Sequence, residues 1–188
     1  EDKPAEGCSK LMVVGWDRRL LLARVAGALA AESLSIISAD FYQRSDNLVL
    51  DVFRVSTTNF EPVTGEATRK RVQKAVHETL RAEHFDFSPK IASRRKQSGM
   101  AELEAEIPQW IYINNNISPD HTVVELQAID RLGLLYDVFM VIGSHGFSVT
   151  HARIGTEIPE RTLRSELAAM VQAGLLTGLT LDEIRRLK

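Results

Sequence analysis

Apolar positions along the chain switch between two periods, and the switches mark its elements. Residues 11–15, LMVVG, form a short continuous apolar run that predicts a buried strand. Leu21, Leu22, Val25, Ala28 and Leu29 then recur at helical spacing, which predicts a helix with one apolar face. After a break at AES, residues 31–33, the period falls to two, and Ile37, Ala39 and Phe41 share one face of a second predicted strand. In NLVLDVFRV, residues 47–55, Val49, Phe53 and Val55 alternate against Leu48, Leu50 and Val52, so a third strand with both faces half buried or better is expected. A turn around residues 62–65 leads into a helix over 66–82, with Val72, Ala75, Val76, Thr79 and Leu80 on its inner stripe.

The first part of this pattern occurs twice. Placing Asp17 over Asp130 sets an offset of 113, and over positions 17–41 seven of 25 residues are then identical. The matched pairs are Asp17/Asp130, Arg18/Arg131, Leu21/Leu134, Leu22/Leu135, Val25/Val138, Ser35/Ser148 and Ala39/Ala152. In the later copy Val124, Leu126 and Ala128 alternate with Glu125 and Gln127 as a strand, and Leu134, Leu135, Val138, Phe139 and Ile142 form the helical stripe. GSHG, residues 143–146, supplies glycine where a helix ends, and Thr150, Ala152 and Ile154 stand where Ile37, Ala39 and Phe41 stand in the first copy. A repeated supersecondary unit of this kind predicts two tandem domains.

The first copy reads strand, helix, strand, strand, helix. Closing it as a two-layer α+β sandwich takes one more strand, for which QWIYINN, residues 109–115, is the candidate; the same segment serves equally as a partner for the second copy. Residues 88–106, basic and then acidic with few apolar anchors, read as a linker with room for partial helix. The expected organisation is a first domain over 1–87, a linker over 88–107 and a second domain over 108–188. The second copy follows the first as far as Glu157, opposite Arg44, then passes directly to IPERTLRSELAAMV, which reads as the next helix with Leu163, Leu167 and Met170 on one stripe. An equivalent of NLVLDVFRV is missing, which would leave a bare strand edge. Either residues have been left out between Glu157 and Ile158, or another element or chain supplies the strand; helix and preceding strand surviving in register favours the first.

Composition narrows the class. Hydrophobic residues at 44% and charged residues at 26% are those of a folded globular chain, and a net charge of -2 gives no overall attraction for nucleic acid or an anionic membrane. The single cysteine, Cys8, has no partner for an internal disulfide and is expected as a thiol near a frayed terminus, which fits the cytoplasm; it lacks the histidine or helix start that would activate a nucleophile. No apolar run approaches the roughly 20 residues that span a bilayer, and EDKPAEGCSK has no signal-peptide core. Beginning at Glu1 rather than Met, the chain is expected to be a piece of a longer polypeptide.

The element order, with an Asp-Arg-x-Gly-Leu-Leu joint after the first strand, resembles the ACT domain, a small-molecule sensing module. VVELQAIDRLGLLYDVFMVIGSHGFSVTHARIGTE, residues 123–157, carries the likeness in the second copy. DRRLLLARV followed by the DVFRV strand makes the first copy similar to the penultimate ACT unit of the nitrogen-regulatory PII protein uridylyltransferase/uridylyl-removing enzymes. The resemblance covers about residues 10–172. It implies two ferredoxin-like βαββαβ sandwiches lying at the C-terminus of a bifunctional parent. Their implied role is to sense an amino acid, glutamine above all, and switch the parent between adding UMP to PII and removing it. The implied partners are that amino acid, the parent's catalytic domains and, through the parent, PII; no cofactor is implied, and a homodimer is left open. The family's catalytic parts are a nucleotidyltransferase domain and a metal-dependent HD hydrolase domain. Here no Gly-Ser precedes an Asp-x-Asp pair and no His-Asp dipeptide occurs, so the fragment is expected to carry the sensor without the chemistry.

Site residues follow from helix-start chemistry. At Asp130, Arg131, Leu132, Gly133 and Leu134, first-turn N–H groups and the helix dipole can hold an amino acid's carboxylate while an aspartate accepts its ammonium group. The plainer reading is that Asp130 caps the helix and Gly133 relieves a tight turn; capping and binding can coexist. In the first copy Arg19 and Leu20 replace Leu132 and Gly133, so Asp17 and Arg18 are expected to cap or salt-bridge first and bind second, and a site spanning both copies stays open. For metal, His77-Glu78 fails the H-E-x-x-H pattern because Arg81 follows, and His121, His145 and His151 have no ligand spacing. Arg94, Arg95 and Lys96 read as a solvated tether rather than a nucleic-acid contact, and Trp16 and Trp110 as core or interface packing. The rival to sensing is a structural or oligomerisation module of the same fold, with no ligand, pairing through sheet edges.

Overall fold

In the computed structural model the described residues are 2–3, 8–98 and 108–155. The chain divides into two compact units, Glu1–Ile154 and Gly155–Lys188, and of the second only Gly155 is described. The expected helix over Leu163, Leu167 and Met170 and the question at Glu157 and Ile158 lie outside the described residues.

The first apolar run sits inside strand β2 (Cys8–Trp16), which pairs antiparallel with a two-residue strand β1 (Asp2–Lys3) on one side. Helix α1 (Leu21–Ala31), strands β3 (Leu34–Gln43) and β4 (Leu48–Thr57) and helix α2 (Glu66–Arg81) follow in the expected order. After them come helix α3 (Ser88–Ser98), strands β5 (Trp110–Asn114) and β6 (Val123–Gln127), helix α4 (Leu134–Ser144) and strand β7 (Arg153–Gly155). The main sheet runs β1-β2-β4-β3-β7, so the repeat's second strands, β3 and β7, are neighbours in one sheet; β5 and β6 form a sheet of their own. The fold is α+β, with antiparallel pairing from Asp2↔Ser9 through Val13↔Asp51 to Phe41↔Asp51.

Several expectations are corrected. The helix α1 has no single apolar face: every residue from Ala23 to Ala31 is buried, as is Leu21, because α2 and α3 flank it and α4 of the later copy packs on it. Cys8 is not frayed but buried within β2 opposite Lys3. In β3 a register shift between Ile36 and Ser38 makes Ile37 the extra residue, and Ile36 takes the core contact assigned to it. Of the two pairings open to residues 109–115, the one with the second copy is found: β5 pairs with β6, and β1 takes the edge beside β2 in the first copy. The tryptophans are not core: Trp16 is 66% and Trp110 43% exposed. Helix α3 is no solvated tether, for reasons given below. Among the described residues, no helix is long and apolar enough to cross a membrane.

Candidate functional site

The second joint, residues 130–133, carries β6 into α4. Gly133 ends it in the left-handed region (φ 80, ψ 9), where a side chain would be strained, and a Cβ there would meet Ile91 Cγ2 at 2.7 Å. Two backbone bonds close the turn, Leu134 N–H to Arg131 O (3.0 Å) and Asp137 N–H to Gly133 O (3.1 Å). Leu132 is buried and anchors the joint, whereas Leu134 is half buried. Asp130 keeps an exposed face, yet partial burial pushes its carboxyl above the usual range, opposed by the hydrogen bond from the Arg131 N–H. It is not the N-cap, a position that Gly133 takes, and its carboxyl accepts from Arg131 N–H ahead of the helix. Arg131 Nη1 lies 2.6 Å from Asp137 Oδ2 in the first turn of α4, a partner that the sequence reading missed.

On one side the joint faces the first copy across a cleft of about 20 Å³, bordered there by Ala26, Ala30, Leu34 and Ile36. That holds about one water and is far below the roughly 300 Å³ at the small end of ligand pockets. On the other side lies α3. Arg95 donates from Nε to Leu132 O (2.7 Å), its Nη2 pairs with Asp137 Oδ2 (3.2 Å), and Ile91 is buried against Gly133. Arg94 reaches the end of α1 at Ala31 O (3.4 Å), and Lys90 and Arg71 bond the Glu32 carboxylate at 2.7 and 2.6 Å. Burial opposes ionisation of Glu32, but those two hydrogen bonds outweigh it and lower its pKa. A roomier groove of about 290 Å³, lined by Asp40, Tyr42, His151 and Arg153 among others, runs along β3 and β7 and contains no joint residue.

The first joint has the same backbone and different contents. Leu20 takes φ 63 and ψ 20 before α1, matching Gly133. Its side chain packs where a Cβ on Gly143 would lie only 2.4 Å from Leu20 Cδ2, and Arg19 donates to Gly143 O (3.3 Å) and Ser144 O (3.2 Å), so these side chains close on the end of α4. Arg18 bonds Leu80 O at the end of α2, and Asp17 accepts from Gln43 Nε2 (3.2 Å). Arg24, one turn into α1, is buried, donates to Thr79 O (2.6 Å) and Ala82 O (2.8 Å) and lies 4.3 Å over the Phe85 ring. Nothing in the apolar pattern marks that role, because Arg24 interrupts an apolar helix.

Asp51 is the second feature the apolar pattern hid. It points from the middle of β4 into the core between Val13 and Phe41, is 2% exposed, and its Oδ2 has no hydrogen-bond partner among the described residues. Burial, with the charge of Asp17 nearby, pushes its pKa up to about 7. Among the described residues no three His, Cys, Asp or Glu side chains gather as a metal site; His121 and His151 have ring centroids 6.5 Å apart.

Residues 110–174 match the family described as "ACR9-like, ACT-like domain". Three similar curated proteins are each named bifunctional uridylyltransferase/uridylyl-removing enzyme. The chain is 28% identical to that of Rhodospirillum rubrum over 155 residues, 30% to that of Gluconobacter oxydans over 154 and 30% to that of Rhodopseudomonas palustris over 155. Each match covers 81% of this chain and 16% of the relative, so the chain spans about a sixth of these proteins. No solved structure matches. Residues 110–174 thus match an ACT-like domain, and most of the chain's length is similar to about a sixth of the bifunctional uridylyltransferase/uridylyl-removing enzymes.

Proposed function

We propose that this chain is the amino-acid-sensing region of a cytoplasmic uridylyltransferase/uridylyl-removing enzyme, that glutamine is its ligand, and that it controls catalytic domains outside this chain and, through them, PII. In this reading the first and second sensing units occupy 1–87 and 108–188, and the binding groups are Asp130 and the backbone from Arg131 to Leu134, with Asp17 and Arg18 secondary. The observation that carries it is the second joint: glycine turns the chain into α4 at a cleft bordered by the first copy, where a helix start meets a carboxylate side chain. The first joint, filled by Arg19 and Leu20, supports ranking it lower. Sensing follows if ligand favours one arrangement of the joint over another, since equal affinity shifts nothing.

The rival, a ligand-free oligomerisation module, draws on the outer face of the main sheet, where Met12, Val14, Trp16, Tyr42 and Leu50 are exposed. Calorimetric titration of the chain with a panel of free amino acids separates the two. Saturable heat with glutamine is expected, and no heat with any amino acid overturns the sensing reading.

A further inference from the structure

Helix α3 stands where the sequence suggested a passive tether, and its contacts are of two kinds. Its start is anchored: Phe87 N–H donates to the Tyr136 hydroxyl (3.2 Å), Ser88 N–H to Asp86 Oδ1 (2.9 Å), and the Phe87 and Tyr136 rings meet edge to face at 5.9 Å. The rest is held by one buried apolar side chain, Ile91, and by polar contacts of Lys90, Arg94 and Arg95. Those contacts bridge the copies, because Lys90 and Arg94 grip the end of α1 while Arg95 grips the second joint at Leu132 O and Asp137.

The joint is therefore sandwiched. On one side is a cleft with room for about one water, whose far wall is α1 and the start of β3; on the other is α3. The far wall cannot yield cheaply, since α1 is buried at nearly every residue and β3 is paired along its length with β4. The helix α3 yields more readily, because releasing it uncovers Ile91 and breaks the half-exposed Arg95–Asp137 pair, while the buried Glu32 carboxylate loses Lys90 but keeps Arg71. We infer that α3 is a strap that presses the second joint closed, with Arg95 as its latch and Ile91 as its pin, and that a ligand enters only as the strap lets go. This rests on the sensing reading and adds its regulation: affinity is set by the fraction of molecules with the strap released.

The inference has a sign that a simple binding role for Arg95 lacks. A latch opposes binding, so Arg95→Gln should bind free glutamine about threefold to tenfold more tightly than the unaltered chain. A guanidinium that receives the ligand's carboxylate would give weaker binding on the same change. The test is calorimetric titration of the full chain, unaltered, with Arg95→Gln and with Ile91→Ala, beside hydrogen exchange of the α3 amides in the unaltered chain with and without glutamine. Tighter binding in the variants, and faster α3 exchange with glutamine present, are the expected results. Binding by the unaltered chain with equal or weaker binding by Arg95→Gln, or α3 exchange that slows or stays constant, overturns the strap alone. No binding by any form overturns the sensing reading and the strap with it. Should a variant fail to fold, the exchange measurement on the unaltered chain still decides.

Discussion

Leu20 and Gly133 share one backbone conformation, though only glycine adopts it without strain. For a bulky residue it costs roughly 1–2 kcal/mol, which Leu20 offsets by packing on the end of α4. The two joints thus differ at a single residue: the first is filled by its own Leu20, the second by Ile91 and Arg95 of α3 resting on Gly133. Changing Asp130 to Ala should weaken amino-acid binding by about 1.5–3 kcal/mol, as for a lost charged hydrogen bond, and Asp17→Ala should do less. Equal effects at both in titration would sink the ranking. Asp51 makes a prediction independent of any ligand. Its folded pKa of about 7 is raised from 3.8, so the fold prefers the protonated form. That contribution is full below pH 4, shrinks as pH rises, and is gone above about pH 7. The shift corresponds to something on the order of 4 kcal/mol. Neutral Asp51→Asn should therefore match the unaltered chain near pH 4 and be the more stable of the two at pH 8, measured by urea unfolding. A difference that does not grow with pH removes the buried carboxyl from the account.

At the scale of elements, Gly27 sets how closely the copies' helices approach. A Cβ there would lie 2.3 Å from Phe87 Cδ2 and 2.7 Å from Tyr136 Cδ2, so the rings rest directly on the backbone of α1. Gly27→Ala gains about 1 kcal/mol in helix propensity but must displace two packed rings, and a net loss of about 1–2 kcal/mol is expected. An unfolding midpoint equal to or above that of the unaltered chain would refute the close contact. Such contacts explain what sequence could and could not reveal. The period of α2 was legible because it keeps a solvent face, and α1 was legible as a helix from its large apolar residues at helical spacing. The all-round burial of α1 was not, since periodicity within one helix says nothing of a second copy arriving on its far side. Helix α3 has only Ile91 as an apolar anchor and is held by side chains on carbonyls, which leave no mark on an apolar pattern. The partner of β5 depended on a pairing between distant segments, and its own residues suit either choice. For the candidate site, the glycine and the aspartate were readable from composition; Arg95 and Asp137 were not, because their meeting depends on the tertiary fold.

Among the described residues the copies are joined through β3 beside β7, through α1 against α4 and through α3, yet their strands are not protected equally. Strand β4 is central, paired on both sides, and carries Phe53 with no exposed surface. Strands β5 and β6 bond only to each other among the described residues, and Trp110, Ile111, Tyr112 and Ile113 are all exposed. A two-stranded sheet with so little buried surface is marginal by itself, whereas a central core strand opens only with the whole fold. Amide exchange should therefore be slowest at Val52, Phe53 and Val55 and at least roughly 100-fold faster at Ile111 and Ile113, with glutamine absent. The ranking also bears on the second joint, because β6 leads into it and a loosely held β6 lets residues 130–133 shift while α1 and β3 stay fixed. Protection of β5 and β6 equal to that of β4 would mean that the hairpin shares the global stability of the fold, and the joint would then have to move with α4 alone.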